Sequence, residues 1–485
     1  DCRFDYFPTH RELCDGKIGY MNMILMCPAC GRQNALDATY CEGCRSGLGR
    51  GHQVTSEEAD DIMLKRRSAD RRRRILRWGT IAVVLAVVFG WIGWQTMGGA
   101  NRLISPVSVI SANPIAGDWP MTQRSPTHAG FVSDAVPLPE GRVRWQFHTE
   151  APILSSPAVV QGIVYLSTGD KRVVALKGDT GDILWEHQVT GPVDSSPAVA
   201  GDLVFVGLKD GRLLALSKAD GTTRWEFSTG DLVYSSPSVY QGVVYIGSSN
   251  NKLYALDAQT GKKRWSYETD GRILSDPAVR EEVVAINSQD RHMYIVDADT
   301  GKHRLGMLTA DARGSPALDD ELAYVADSRG LLMAVDWTKR ELPFELTARW
   351  VRTQLFVWQL VGTLPPPKGF VWRFWNPRES FVGTPALGAG MVYVAAESGA
   401  VYALDRSDGQ LAWKFKADAV LKESPSVAGE TLYVGDVNGV IYGVNALTGE
   451  GIWKFKVDGR ISSTPVVGNG MLYVASDNGT LYAIE

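Results

Sequence analysis

The sequence predicts an all-β protein: an eight-bladed β-propeller of four-stranded blades, preceded by a small zinc ribbon and one transmembrane helix. Three observations lead to this fold class. Two Cys-x-x-Cys pairs lie near the start, an uncharged run follows at 78–94, and a segment of about 40 residues then repeats to the end. With 50 Lys and Arg against 54 Asp and Glu, the chain has no overall positive charge, so no nucleic-acid partner is expected.

Residues 1–26 are interpreted as a tail. The chain begins with Asp1, and three methionines stand between it and the first Cys-x-x-Cys pair, so the first 20 or so residues are read as an extension upstream of the true start. Cys2 and Cys14 are expected to be unpaired thiols within this tail.

The segment 27–47 is predicted to be a zinc ribbon. Its ligands would be Cys27, Cys30, Cys41 and Cys44, because each pair can sit on a tight turn and four thiolates suit tetrahedral zinc. A pair of redox dithiols or an iron site would use the same residues. All six cysteines precede residue 45, which favours metal ligands in a reducing compartment. The segment resembles the short zinc ribbons at the N-termini of many bacterial membrane proteins.

A polar to basic linker at 48–77 leads into a predicted transmembrane helix at 78–97. Seventeen uncharged residues rise about 26 Å as a helix, and Trp78, Trp91 and Trp94 lie near the ends of this run as interfacial anchors would. Basic residues before the span place the N-terminus in the cytoplasm and the C-terminal part outside, with the lipid bilayer as a partner. A cleavable signal peptide is the alternative.

After a linker at 98–117, residues 118–485 carry the repeat. A proline, mostly within Ser-Pro or Thr-Pro, recurs at Pro157, Pro197, Pro237, Pro277, Pro316, Pro385, Pro425 and Pro465. Each repeat has alternating runs around a hairpin turn and ends in a fourth strand that carries Trp, which is typical of a propeller blade. The last repeat stops before its Trp, so the segment with Trp145 is predicted to complete that blade and close the ring.

The motifs SSPAV, VVYIGS, LYALDAQTGKKRW and DWPMTQRSPTHAG resemble the pyrroloquinoline quinone (PQQ)-like repeat propellers over residues 118–485. That family includes quinoprotein alcohol and sugar dehydrogenases, which bind PQQ with calcium, and a non-catalytic outer-membrane assembly lipoprotein. The resemblance implies that the repeated tryptophans dock one blade against the next. These are Trp145, Trp185, Trp225, Trp265, Trp413 and Trp453. Leu305 replaces Trp in the fourth repeat, and Phe344 lies at the equivalent offset in the fifth.

Catalysis is not expected of this propeller, although it stays open. The alcohol dehydrogenases of the family carry adjacent cysteines over the cofactor, and residues 118–485 contain no cysteine. Repeated acidic residues such as Asp257, Asp297 and Asp405 are expected to cap backbone N–H groups in turns. The histidines at 128, 148, 187, 292 and 303 show no pairing by spacing. PQQ is not an expected cofactor, because the adjacent cysteines are missing and the blades are minimal, but its binding is left to be tested.

One step of the repeat is 69 residues long, which indicates an insertion at about 345–373. Within it, Leu346, Trp350, Val357 and Val361 recur at helical spacing. The aromatic side chains of Trp350, Phe356 and Trp358 are candidate contacts for a partner protein or a membrane surface. A helix packed on its own blade is the other interpretation.

The function these features predict is a membrane-anchored, non-catalytic propeller scaffold that binds proteins or ligands on the extracytoplasmic side, with cell-envelope assembly as its candidate process. Two alternatives remain from other classes. One is a PQQ-dependent quinoprotein oxidoreductase, and the other is a transmembrane sensor that links an external ligand to the cytoplasmic zinc ribbon.

Overall fold

The computed structural model describes residues 23–49, 52–96, 110, 117–132, 141–342, 344–363 and 366–485, without the side chains of 52, 67, 70, 88–96 and 346. The chain divides into two compact units, Asp1–Gly99 and Ala100–Glu485. The predicted tail lies mostly outside the described residues, with Cys2 and Cys14, and so does most of the predicted 98–117 linker.

The first unit is a small sheet followed by a long helix. The sheet has the order β2-β1-β3, with strands β1 (Met23–Met26), β2 (Gln33–Asn34) and β3 (His52–Thr55). Helix α1 (Ser56–Thr96) begins with a capping box, because the Glu58 carboxylate accepts the Thr55 N–H at 3.1 Å and the Glu58 N–H donates to the Thr55 hydroxyl at 3.3 Å.

Within the part of the chain that the structure describes, no helix is both long enough and apolar enough to cross a membrane. The apolar run at 78–94 is the end of α1, whose preceding turns are densely charged. The transmembrane helix predicted at 78–97 was therefore wrong. The single-pass topology, with a cytoplasmic N-terminus and an extracytoplasmic propeller, falls with it.

The second unit contains eight antiparallel sheets, which we call blades 1 to 8. Two short strands precede them, β4 (Phe131–Val132) and β5 (Val143–His148). Blades 1 to 4 comprise β6 (Ala158–Val160), β7 (Ile163–Thr168), β8 (Arg172–Lys177), β9 (Ile183–Gln188); β10 (Ala198–Ala200), β11 (Leu203–Gly207), β12 (Arg212–Ser217), β13 (Thr223–Ser228); β14 (Ser238–Tyr240), β15 (Val243–Gly247), β16 (Lys252–Asp257), β17 (Lys263–Glu268); and β18 (Ala278–Arg280), β19 (Val283–Ser288), β20 (His292–Asp297), β21 (His303–Leu308).

Blades 5 to 8 continue the same order and include the insertion helix α2 (Glu345–Val357) in blade 5. Their strands are β22 (Ala317–Leu318), β23 (Leu322–Ala326), β24 (Leu331–Asp336), β25 (Phe370–Trp375); β26 (Phe381–Gly388), β27 (Met391–Ala396), β28 (Ala400–Asp405), β29 (Leu411–Lys416); β30 (Ser426–Ala428), β31 (Thr431–Gly435), β32 (Val440–Asn445), β33 (Gly451–Lys456); and β34 (Val466–Gly468), β35 (Met471–Ser476), β36 (Thr480–Ile484).

Two sheets recruit strands from outside their repeat. β5, which carries Trp145, pairs antiparallel with β36, the pairing that closes the ring in the sequence prediction. β4 adds to β30 in parallel and gives blade 7 a fifth strand. The fold class predicted from the sequence was thus wrong in its count as well as in its helix. The described residues form nine sheets, including the three-stranded sheet of the first unit, rather than eight four-stranded ones.

The extra residues of blade 5 lie between its third and fourth strands, β24 and β25, rather than after the fourth strand. The fourth strand therefore comes late and carries Trp372 at the position of the repeated tryptophans, so Phe344 does not occupy it. Phe344 instead precedes α2 with a φ of 73°.

The segment 118–132 runs across the inner strands of the propeller. Backbone carbonyls of this segment accept N–H groups from the first strands of six blades. The N–H donors and their carbonyl acceptors are Val159 and Trp119 at 2.8 Å, Val199 and Pro120 at 2.8 Å, Val279 and Pro126 at 2.6 Å, Leu318 and Thr127 at 2.8 Å, Leu387 and Ala129 at 2.7 Å, and Val427 and Gly130 at 2.8 Å. Trp119, Met121 and His128 are fully buried there. The leader of the repeat region thereby ties six blades together at the inner end of each.

Candidate functional site

The four cysteines of the first unit converge. Their sulfurs all lie within 4.8 Å of one another, with 3.7 Å between Cys27 and Cys44 and 3.4 Å between Cys30 and Cys41. Tetrahedral thiolates at about 2.3 Å from zinc lie about 3.8 Å apart. Among the described residues, this is the sole group of three or more His, Cys, Asp or Glu with that convergence. The donor set can hold a metal ion.

Both cysteine pairs sit on backbone turns, and the turn around Cys41 favours the thiolate form of that sulfur. The N–H of Gly31 donates to the Cys27 carbonyl at 2.8 Å, and the N–H of Arg45 donates to the Cys41 carbonyl at 2.9 Å, so each pair sits on the same kind of turn. N–H groups of Cys44 and Gly43 directed at the Cys41 sulfur lower the pKa of that thiol to about 6. Thiolate is the form that binds metal, so this turn geometry favours coordination.

In the second unit, the repeated tryptophans lie at the blade-to-blade junctions. Six of these indoles donate an N–H to a carbonyl in the turn of the next blade, 33 or 34 residues on, at 2.8 to 3.0 Å. The pairs are Trp145 with Gly178, Trp185 with Lys218, Trp225 with Ala258, Trp265 with Ala298, Trp372 with Arg406 and Trp413 with Ala446. Trp453 stacks on Phe455 instead, with ring centroids 6.0 Å apart. Blade docking stays the prediction for these side chains.

A glycine completes each of these junctions. Gly261 has a φ of 71°, and a Cβ added there would lie 2.7 Å from the Trp225 ring, so this residue supplies both the left-handed turn and the close approach. The junction between blades 4 and 5 differs, because Leu305 takes the place of Trp. At this junction, Gly369 of the insertion lies against the Leu305 side chain, as Gly261 lies against Trp225.

The acidic residues of the repeated turns cap backbone N–H groups. The carboxylates of Asp257, Asp297 and Asp405 accept N–H groups of Thr260, Thr300 and Ser407 at 3.0, 3.1 and 2.8 Å. His128 is also structural, because its ring nitrogens lie 3.1 Å from the Pro316 carbonyl and 3.3 Å from the Ser238 hydroxyl, and burial lowers its pKa to about 4.

The axis of the propeller opens as a polar funnel of about 400 Å³. Its wall contains the side chains of the residues that stand just before the repeat prolines. Each of these side chains accepts a hydrogen bond from the backbone N–H of the equivalent residue in the preceding blade, at 2.6 to 3.1 Å. The acceptors are Ser196, Ser236, Asp276, Ser315, Thr384, Ser424 and, from Thr464, Ser156. Asp276 is the acidic member of this set.

The family resemblance implies PQQ and calcium, so the residues of the funnel are compared with the ligands that these groups need. A calcium ion takes six to eight oxygens, several of them carboxylate. Burial instead raises the pKa of Asp276 to about 6 and that of Glu423 to about 7, and it outweighs the hydrogen bonds of Ser236 to the first and the positive charge of Arg460 near the second. No three carboxylates converge among the described residues. The described funnel does not fit a calcium-bound quinone.

Helix α2 carries Trp350 and Phe356 of the three aromatic residues that the sequence singled out, and Trp358 is its C-cap residue. Their side chains are largely open, with 63% of Trp350, 40% of Phe356 and 66% of Trp358 exposed. A second apolar surface lies around Ala348, Val351 and Leu355. Folded proteins rarely expose several large apolar side chains in one region unless that region contacts another molecule.

Sequence reasoning missed three features of these sites. Trp372 could have been found by counting back from Pro385, because the Trp-x-Phe of VWRFW stands 13 residues before it and the other tryptophans stand 12 residues before theirs. Asp276 stands out as the acidic residue before a repeat proline. The burial of Glu423 has no sequence signal, since it follows from the ring geometry.

Comparison with known proteins identifies the repeat. The family described as Outer membrane protein assembly factor BamB matches residues 130–341, 368–453 and 418–485. No curated protein matches the sequence significantly.

Three solved structures illustrate the likeness of fold. BamB from Moraxella catarrhalis is 18% identical, with 71% of this chain and 97% of that chain covered and a TM-score of 0.56. The quinohemoprotein alcohol dehydrogenase from Comamonas testosteroni is 15% identical, with coverages of 76% and 80% and a TM-score of 0.59. A europium-containing methanol dehydrogenase is 15% identical, with coverages of 74% and 89% and a TM-score of 0.60.

At these identities the solved structures show a propeller fold that assembly factors and dehydrogenases share, and the fold does not distinguish the two activities. The family match is broader evidence, since it spans more than half of the sequence. The resemblance to PQQ-like repeat propellers is thereby confirmed, and the chain belongs to the family of the outer membrane protein assembly factor BamB.

Proposed function

We propose that this chain is a non-catalytic propeller scaffold that binds a partner protein through helix α2. The observation that carries the proposal is the exposure of Trp350, Phe356 and Trp358 on an insertion that interrupts an otherwise regular repeat. Exposed aromatic side chains on a rigid platform are the usual anchors of protein interfaces. The family name, an assembly factor for other proteins, supports the same role.

The test compares proteins captured from cell extract by three forms of the full chain. Trp350→Glu with Trp358→Glu places charge on the proposed surface, and Ile183→Glu with Ile452→Glu does the same at exposed residues of blades 1 and 7. We expect wild type and the blade control to recover the same partner, and the α2 variant to lose at least nine tenths of it with an unchanged Tm. Equal recovery by all three forms would refute the proposal.

A PQQ-dependent oxidoreductase is the alternative function, and it is decided separately. The purified full chain is titrated with PQQ and calcium, and quenching of its tryptophan fluorescence is followed. The scaffold proposal predicts no saturable quenching. Saturation at one PQQ per chain, together with dye-linked turnover of an alcohol, would establish the oxidoreductase instead.

We also propose that Cys27, Cys30, Cys41 and Cys44 hold a structural zinc ion. Among the described residues, the buried apolar cluster around them consists of Leu25, Leu48, Cys27 and Cys41, a core too small to fold a segment of this size unaided. Metal content per chain is measured for wild type, Cys41→Ser and the matched control Cys14→Ser. One zinc in wild type and control but none in Cys41→Ser is expected; bound iron, or a disulfide in place of metal, would contradict it.

A further inference from the structure

A cleft of about 840 Å³ lies between α2 and the outer strands of blades 4 and 5, and we call it the rim cleft. Its floor is apolar, formed by Met307, Leu331, Met333 and Phe370, and Trp350 stands in its wall. The volume falls in the range of sites that bury most of a ligand or several residues of a peptide. The insertion creates this cleft, since the other blades have short turns in its place.

Contacts at both ends of the insertion hold the rim cleft open. The N–H of Glu341 donates to the Arg304 carbonyl in β21 at 2.7 Å, and the Glu341 carboxylate, 6% exposed, lies 2.9 Å from the His303 ring. At the start of α2, the Glu345 carboxylate accepts the Lys368 ammonium at 2.8 Å. The cleft wall is therefore fixed before any partner arrives, which lowers the entropy cost of binding.

A free strand edge forms one side of the rim cleft. β21 is the last strand of blade 4, and the N–H of Thr309 donates inward to the Arg291 carbonyl. Backbone groups alternate in an antiparallel ladder, so those of Gly306 and Leu308 point to the open edge. Both residues line the cleft, and no described backbone group pairs with them there. An extended chain can add to this edge as a further strand.

The charges around the rim cleft select the kind of chain. Arg349 and Arg373 both line it, and neither forms an ion pair within 4 Å to a described carboxylate. Glu345 acts on Arg349 at longer range but is bonded to Lys368. Among the acidic lining residues, Glu341 lies against His303, and Asp270 follows β17 of blade 3 and forms no ion pair within 4 Å to either arginine. Two guanidinium groups are thus available to an incoming carboxylate.

We propose that the rim cleft binds an extended peptide segment of a partner protein in which apolar residues stand next to aspartate or glutamate. The peptide backbone pairs with β21 at Gly306 and Leu308, an apolar side chain packs on Met307 and Phe370, and an acidic side chain pairs with the two arginines. The inference rests on the proposed scaffold function and adds where the partner binds and what its binding segment contains.

A random twelve-residue peptide library displayed on phage tests the charge selection with the full chain. It is selected in parallel on wild type, on Arg349→Glu with Arg373→Glu, and on the control Lys263→Glu with Lys456→Glu, two exposed lysines of blades 3 and 7. Wild type and control should enrich acidic-apolar peptides, and the arginine variant should bind them at least tenfold more weakly. No enrichment, or the same peptides on all three forms, would overturn the proposal.

Strand pairing is tested with the enriched peptide by calorimetry. Leu308→Pro removes the backbone N–H that points to the open edge, at a residue whose side chain is 68% exposed. Ser228→Pro makes the matched change in the last strand of blade 2. The first variant should bind at least tenfold more weakly, and the second should bind as wild type does. Peptides methylated at alternate backbone nitrogens give the same answer if Leu308→Pro fails to fold. Undiminished binding in both experiments would refute strand pairing.

The two proposals fail in different ways. Loss of partner capture in the α2 variant, combined with a peptide library that enriches nothing, would leave the scaffold function standing and refute the rim cleft. Peptide enrichment on wild type, combined with partner capture that does not depend on α2, would support the rim cleft and refute partner binding through α2.

Discussion

The junction between blades 2 and 3 and the junction between blades 4 and 5 solve one packing problem differently. At the first, the Trp225 indole donates to the Ala258 carbonyl at 3.0 Å and Gly261 lies against the ring. At the second, Leu305 fills the position and Gly369 approaches it, while α2 and the rim cleft lie above. At the regular junction, the indole and the glycine both contact the neighbouring blade. The irregular one leaves an open edge, exposed aromatics and two unpaired arginines.

The difference indicates where stability and function reside. Residues that recur every 40 positions in the repeat do so because every blade meets the same neighbour in the same way. A segment that departs from the repeat contributes little to that closure. We therefore expect changes at the regular junctions to lower the Tm and changes in the insertion to alter binding.

The largest effect on stability is expected at a junction glycine. Gly261→Ala places a methyl group 2.7 Å from the Trp225 ring at a positive φ, so strain and overpacking add to about 3 kcal/mol. Gly230→Ala is the control, because its φ is 90° but no atom lies within 4 Å, and strain alone should cost about 1 kcal/mol. Chemical denaturation measures both. Equal losses would show that the contact with the ring does not matter.

A smaller loss is expected when a junction hydrogen bond is removed. Trp225→Phe leaves the Ala258 carbonyl without its donor, whereas Trp453→Phe makes the same change at an indole that donates to no described residue. An unpaired buried carbonyl costs about 1 kcal/mol, so Trp225→Phe should be the more destabilising by that amount. If the two variants unfold at the same denaturant concentration, the indole N–H is not part of the docking.

One residue of the axial funnel, Glu423, is expected to make the free energy of unfolding depend on pH. Burial raises the pKa of Glu423 to about 7, above its ordinary value of 4.5. The folded state then binds a proton more tightly than the unfolded state, so this residue favours folding below about pH 4.5, and that contribution is lost as the pH rises toward 7.

Glu423→Gln removes the ionisable group and therefore the decrease in folding stability with rising pH. The variant should match wild type at pH 4 and exceed it by about 1 kcal/mol at pH 8, a value reduced because the side chain is partly accessible. Glu430→Gln, at an exposed carboxyl of the same blade, should follow wild type at both pH values. A pH-independent difference for Glu423→Gln would refute the burial argument.

Local signals explain which predictions succeeded. The blade strands and the two turns that carry Cys27 with Cys30 and Cys41 with Cys44 follow from spacing along the chain, because hairpins and Cys-x-x-Cys turns form between near neighbours. The transmembrane helix failed because an apolar run was judged apart from the charged helix that it continues. The rim cleft had no sequence signal, since Gly306 and Arg373 are 67 residues apart and meet only when blade 4 packs on blade 5.

Replacing residues 338–368 with the three-residue turn Gln259–Gly261 of blade 3 shows whether the insertion confers peptide binding without stabilising the propeller. This exchange gives blade 5 the short turn of a regular blade and keeps Trp337 and Gly369, which pack on blades 5 and 4. The account predicts a Tm within about 5 °C of wild type, a change of about 1 to 2 kcal/mol, together with complete loss of binding to the selected acidic-apolar peptide. A folded chain that still binds this peptide with undiminished affinity would contradict it, and so would a propeller that no longer folds.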